Sequence, residues 1–362
     1  MDDQPPARGE RSAIFPYAMM LPSSREEGLA FVVRAALAVA AVFIGLYIVW
    51  IVRDVFLLLL LAVVFATVLI AAVELVRRWT RLSHRWALAV VGTILFLVAT
   101  ALVLLTGSRV IGQISTLATQ LPAAIDSIEK SLGISVENVV QNGQIPGGLL
   151  GSLLSYGGTI LGALGGLVLA VIGGFFLAAD PERYLKGTIK LFPKQHHEQM
   201  DDALRASGRA LKLWLLAQLV SMTIIGVLVW LGTWIIGLPA PLALGLFAGT
   251  VEFIPYLGPW LGAVPAVVLA LSEGGTTVLW TVLLFVAIQQ VESNLIAPLV
   301  QQEMVEIPAA LLLFAVVAVG LLFGITGLIV AAPLTVVAYV LVTKLYVRDT
   351  LGVPAQVPGE DR

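Results

Sequence analysis

Residues 241–272 read PLALGLFAGTVEFIPYLGPWLGAVPAVVLALS, an apolar stretch broken at its centre by Glu252, Pro255, Tyr256, Gly258 and Pro259. Proline lacks a backbone donor and clashes with the preceding turn, so the pair at 255 and 259 ends one helix and begins another. Each arm is then about 14 residues, roughly 21 Å at 1.5 Å per residue. The hydrocarbon core of a bilayer is roughly 30 Å thick. A re-entrant helical hairpin with its tip inside the bilayer therefore fits better than two spans, the alternative being prolines that merely kink helices for packing.

Outward from this hairpin the chain is apolar almost throughout. Of its 362 residues 59% are hydrophobic and 12% charged, and the mean hydropathy is +0.98. A soluble domain carries about 25% charged residues, so this is an integral membrane protein. Charge-free runs occupy 35–52, 55–73, 86–108, 140–179, 213–251, 253–272, 274–291 and 307–343. They are continuous rather than alternating, as helices and not barrel strands require. The fold expected is all-α, a polytopic helical membrane protein with about six full spans plus two broken hairpins, each span needing about 20 residues. The second hairpin, 307–343, breaks at Gly324-Ile325-Thr326-Gly327, with Pro333 beyond; its longer halves leave two short spans open.

Lys and Arg set the orientation. They crowd before the first run, in RRWTRLSHR at 77–85, and between Arg183 and Lys212, whereas 213–343 contains none before Lys344 and Arg348. Both termini are accordingly expected in the cytoplasm. The organisation is a cytoplasmic tail, 1–29, read as a disordered leader without a cleavable signal; a four-span part, 30–180; an amphipathic cytoplasmic linker, 181–212; a transport part, 213–346, with hairpins 241–272 and 307–343; and a cytoplasmic tail, 347–362. Within the four-span part an outer amphipathic segment, 109–150, repeats Ile111, Ile114, Leu117, Leu121, Ile125, Ile128 and Leu132 at helical spacing. Gly158, Gly162 and Gly166 form small-xxx-small steps that read as close helix packing.

Ionisable groups in the charge-poor part are few. Glu252 sits beside the hairpin tip, and Glu292 lies in AIQQVESNLIAP with Gln289, Gln290 and Asn294. A carboxylate inside a membrane is costly and by default a functional candidate. Desolvation favours its neutral form, so either glutamate is a candidate to carry a proton or to bind a cation in exchange for one; a protonated acid that only bonds a neighbouring helix is the alternative. Glu303 and Glu306 read as solvated loop charges. Catalytic and metal sites find no support. HHEQMD at 196–201 is not a His-Glu-x-x-His pair, no serine in a run has a histidine partner, no Asp lies within a run, and Cys is absent. A net charge of −2 speaks against nucleic acid. No phosphate-binding Gly-x-x-x-x-Gly-Lys-Ser/Thr loop occurs, so ATP is not the direct energy source, and no cofactor is expected.

Several motifs together resemble the autoinducer-2 exporter family of bacterial permeases, also called PerM-like. They are FFLAADPERY (175–184), LFP (191–193) with the amphipathic helix through Arg205 and Gly208, GTVEFIPYLGPWLGAVPA (249–266), QQVESNLIAPLVQ (289–301) and GITGLIVAAPL (324–334), ordered across about 29–346. The resemblance implies a multi-pass protein of the bacterial cytoplasmic membrane that exports small polar molecules, autoinducer-2 being the namesake cargo. Some relatives are described as sodium(lithium)/proton antiporters. It also implies a homo-oligomer, a pentamer, whose two hairpins move elevator-like against a scaffold. Carried onto this chain, 252–259 and 324–327 are the hairpin tips, with Glu292 and Asn294 lining the site between them.

The expectation is thus a proton- or ion-coupled secondary transporter. Its solute or ion site comprises Glu252, Tyr256, Gln289, Gln290, Glu292, Asn294 and Thr326, and its hairpin hinges are Pro255, Gly258, Pro259, Gly324 and Gly327. Its partners are a small polar solute, or a monovalent cation and a proton, with the lipid bilayer. The rivals are a sodium(lithium)/proton antiporter and a non-transporting membrane scaffold.

Overall fold

The computed structural model describes residues 51–97, 100–101, 157–296, 307–355 and 357, with scattered positions between Val33 and Trp50; side chains of the helix starting at Gly157 are described from Gly165 onward. The tail 1–29, much of the first apolar run, the segment 109–150, and Glu303 and Glu306 lie outside these residues. Residues 1–55 form one unit, in which the Arg53 guanidinium lies 3.9 Å from the centre of the Trp50 ring. Everything else belongs to a second unit, 56–362.

Among the described residues every regular element is helical and none is a strand. In order they are α1 (Arg53–Thr80), α2 (His84–Leu97), α3 (Gly157–Ala179), α4 (Pro181–Ile189), α5 (His197–Ile236), α6 (Pro241–Val251), α7 (Gly258–Glu273), α8 (Gly275–Val291) and α9 (Ala309–Leu341). Among the described residues four helices are long and apolar enough to cross a membrane, or five if α3 and α4, bent by 89°, count as one span. The chain is a multi-pass helical membrane protein.

Lipid is as apolar as leucine, so helices inside a bilayer associate through close packing more than through hydrophobic transfer. Small residues sit at the crossings accordingly. Gly166, Gly173 and Gly174 of α3 lie against Leu58, Ala62 and Phe65 of α1. Gly226 of α5 faces Gly245 and Gly249 of α6 so closely that an added Cβ at Gly249 would fall 2.8 Å from the Met222 carbonyl oxygen.

The expected linker boundary near residue 212 is not a structural one. α5 runs unbroken for 40 residues, about 60 Å at 1.5 Å per residue, because no proline or glycine pair interrupts it between its polar start and its apolar end. It stops at Gly237, whose φ of 87° places the following chain in a left-handed turn, and Gly237 N–H caps the Thr233 and Trp234 carbonyls. One stripe of α5, Ala206, Ala210, Leu211, Trp214 and Leu215, packs with Val64 of α1 and with Ala332, Val336 and Val340 of α9. Further along, Ile225 and Val229 pack with Leu244, Ala248, Ala266 and Leu269 of the α6–α7 hairpin. α5 is the element both hairpins share.

Ion pairs fasten the polar end of α5. Lys212 pairs with Glu74 of α1, and Lys344 with Asp202 at 2.5 Å. Arg205 holds Glu182 of α4 through two hydrogen bonds, 2.6 and 2.9 Å, and Asp201 at 3.0 Å. α4 itself begins where Asp180 caps the Arg183 N–H and Pro181 supplies the first helical residue. Beyond α9, Arg348 donates to the Ala355 carbonyl and Val357 joins the α5–α9 core.

α9 runs for 33 residues but it is folded. Gly324 has φ 64° and ψ −145°, and the Val319 carbonyl oxygen lies against Gly327, positions that a straight helix would hold about 12 Å apart. The first arm, 309–323, is about 22 Å long, and the second continues past Leu341 into a π-turn, Val342–Arg348. The two arms fold back on each other at Gly324.

Two outcomes follow. Gly324→Ala forces a side chain into a backbone region open essentially to glycine, and costs about 1–3 kcal/mol, read as a lower melting temperature in detergent. The Arg205 hydrogen bonds hold the Glu182 carboxyl below its ordinary 4.5. The Glu182 contribution is therefore complete above the ordinary value and is lost as the pH falls through the lowered one. The melting-temperature gap between wild type and Glu182→Gln is widest near neutrality and closes on acidification.

Candidate functional site

The tip of the α6–α7 hairpin is built by backbone economy. At the end of α6 the ladder tightens: Glu252 N–H still reaches the Ala248 carbonyl at 3.0 Å, but Phe253 and Ile254 donate only three residues back, to Thr250 and Val251. Pro255 then has no donor, and Tyr256 takes a left-handed φ of 66°. Gly258 N–H restarts the helix on the Ile254 carbonyl at 2.8 Å. Only glycine fits at 258, because a Cβ there would lie 2.6 Å from the Glu252 Cα. The arms are 11 and 16 residues, shorter and longer than the two equal halves expected.

Two residues of α5 that sequence reasoning missed hold this tip. Gln218 Nε2 donates to the Glu252 carbonyl at 2.6 Å, and Trp214 meets Phe253 edge to face, ring centres 5.8 Å apart. Gln218 had a visible signal, being the sole Asn or Gln between residues 213 and 251. Trp214 had none beyond its bulk.

The Glu252 side chain turns inward. The residue is 4% exposed and its Oε2 has no hydrogen-bond partner. It lines a cavity of about 430 Å³ between α5, α6, α7 and α8, together with Gly258 and Pro259 of the tip and Gln289 and Glu292 at the end of α8. The two carboxyl groups lie close enough to interact directly. After Val291 the helix widens into a π-turn, Glu292–Ile296, a local deformation found often at functional positions. Gln289 Nε2 donates to Glu292 at 3.3 Å.

Of the expected site residues, Glu252, Gln289 and Glu292 therefore come together, with the hinges Gly258 and Pro259. The others do not line the cavity. Asn294 spends its amide on the Gln290 carbonyl and side chain, both at 2.9 Å. Tyr256 and Gln290 point to the exposed surface, and Thr326 is exposed at the second hairpin tip. Pro255, Gly324 and Gly327 shape the two tips without touching the cavity. The Gln301 end of the QQVESNLIAPLVQ motif lies outside the described residues.

Replacing Gln218 by Leu leaves the Glu252 carbonyl without its donor in an apolar setting, a loss of about 1–3 kcal/mol. Gly258→Ala overpacks the same tip by a similar amount. Both variants are expected to melt lower than wild type while α1 to α4 keep their helicity, measured by circular dichroism and by protease protection of the hairpin.

Known proteins show the family. Residues 37–346 match the family described as AI-2E family transporter. The chain is 33% identical over 165 residues to "Putative transport protein YrrI" of Bacillus subtilis (strain 168), covering 46% of this chain and 47% of that protein. It is 26% identical over 210 residues to "Putative transport protein YueF" of the same organism, covering 58% and 55%. It is 36% identical over 139 residues to "Putative transport protein MT0215" of Mycobacterium tuberculosis, covering 36% and 37%. The matches span about half or less of each relative's length. With a family match running from the first apolar run through both hairpins, the chain belongs to the AI-2E transporter family.

Proposed function

We propose that this chain is a secondary transporter of the bacterial cytoplasmic membrane, with both termini in the cytoplasm, that couples proton or cation binding at Glu252 to export of a small molecule. One observation carries the reading: a carboxyl group 4% exposed, with an unpartnered oxygen, at the broken tip of a helical hairpin. Irregular backbone at membrane depth is tolerated where it is covered by protein or lines a cavity, and in transporters such breaks mark the binding site. No Lys, Arg or His occurs from 213 to 343 to neutralise Glu252 and Glu292. Two neighbouring carboxylates away from water do not both stay ionised without a counter-charge, so the pair holds a proton or a cation, and exchanging one for the other is the coupling step.

Family membership supports export of a small polar solute, autoinducer-2 among the candidates, and the resemblance supports an elevator-like movement of the hairpins within a homo-oligomer. A sodium(lithium)/proton antiporter is the second reading, favoured by Glu252 and Glu292 lining one cavity, where they offer carboxylate oxygens to a bare cation. A non-transporting scaffold would leave both acids as packing residues.

The test is the purified protein in liposomes loaded with a pH-sensitive dye. Proton flux is expected on adding sodium, lithium or a candidate solute, and Glu252→Gln, which keeps shape but not charge, is expected to lower it on the order of tenfold or more, as loss of a charged hydrogen-bonding group does. Flux triggered by the alkali ions alone selects antiport. Unchanged flux in Glu252→Gln removes Glu252 from the coupling step, and no flux or labelled-solute release under any addition favours the scaffold.

A further inference from the structure

The walls of the Glu252 cavity do not suit a cargo rich in hydroxyl groups. Apart from Glu252, Gln289 and Glu292 at one end, they are apolar: Ile225 of α5, Val264 and Val267 of α7, and Val282, Phe285 and Val286 of α8 among them. A hydroxyl placed against such walls without a partner is costly. The cavity is also too large for a bare ion. At about 430 Å³ it falls within the roughly 300–1,000 Å³ of small-molecule sites, whereas one water takes only about 30 Å³ in the liquid.

The charge at the polar end has one sign. Glu252 is buried with Oε2 unpartnered, it and Glu292 both line the cavity, and no basic side chain occurs between residues 213 and 343. The rim is apolar and open. Trp260 is 76% exposed, and Val264 and Val286 are more than half exposed. This mouth is framed by apolar side chains of α7 and α8.

We propose that this cavity takes an amphipathic organic cation, its apolar body between α7 and α8 and its ammonium or phosphonium head at Glu252 and Glu292. The assignment rests on Glu252 being the coupling site proposed above and names the cargo held there. Such a molecule satisfies every wall at once: the head replaces the proton as counter-charge for the acid pair, and the body needs no hydrogen bonds from valine and phenylalanine. It also reaches the site from the membrane, where amphipathic cations concentrate.

The probes are tetraphenylphosphonium and tetraphenylborate, matched in size and apolarity and opposite in charge. Their binding is measured by equilibrium dialysis against the full chain in lipid nanodiscs. Saturable binding of the phosphonium only is expected, weakened on the order of tenfold in Glu252→Gln, the loss of one charged contact. It is also expected to weaken in Val267→Trp, which fills the cavity without touching the acids. Both variants are first shown by gel filtration and melting to be folded; if Glu252→Gln is not, Glu292→Gln and Val267→Trp carry the test.

Equal binding of both probes, wild-type binding in folded Glu252→Gln or Val267→Trp, or no saturable binding of either overturns the assignment, the last leaving lipid or a second copy of the chain as what covers this face. The dye assay separates this result from the coupling reading. Alkali-ion proton flux without phosphonium binding sinks the cargo class and keeps coupling at Glu252; phosphonium binding without any proton flux does the reverse.

Discussion

A helix broken away from water frees backbone carbonyls that have to find donors from protein, and the α6–α7 hairpin depends on that constraint being met. Gln218 answers it for the Glu252 carbonyl, and three-residue hydrogen bonds through Ile254 answer it for the turns beside it. Because the donor comes from α5, the tip cannot be placed without α5. The same helix carries Trp214 against Phe253 and, on its polar half, the ion pairs to α1, α4 and the segment after α9. The cavity position of Glu252 is thus inherited from one long helix and not from the hairpin alone.

The small-residue contacts make that arrangement compact. Gly245 and Gly249 bring the backbone of α6 onto Gly226 of α5, a distance that side chains would prohibit. In a bilayer, where burial of apolar surface against another helix gains little over burial against lipid, such contacts supply the packing that leucine-rich faces supply in water. Exposed Trp260, Val264 and Leu283 are then ordinary for helices of a membrane protein and do not signal instability.

Much of this was legible from residue order. Pro255 and Pro259 announce a break through a local rule that tertiary packing rarely overrides, and a lone Glu252 in an apolar run announces burial through its desolvation cost. Thr326 and Asn294 stand apart from the cavity, since polarity and position near a break do not say which way a side chain turns: Asn294 bonds to Gln290 one turn back. The continuity of α5 across residue 212 was hidden because a change from polar to apolar composition resembles a boundary although the backbone does not feel it. Gln218 needed a partner 34 positions away, and no spacing rule reaches so far. The fold-back at Gly324 was legible as a break, while its sharpness depends on Val319 meeting Gly327 and is a property of three dimensions.

The uninterrupted run of α5 makes it a rod in the mechanical sense. Between Arg205 at the ion-paired end and Gln218 at the hairpin tip lie about 20 Å of helix at 1.5 Å per residue, with no proline or glycine pair to act as a joint. The ion pairs at the polar end and the donor to the Glu252 carbonyl are thus set on one uninterrupted helix, so their separation is fixed by helix geometry and not by a loop.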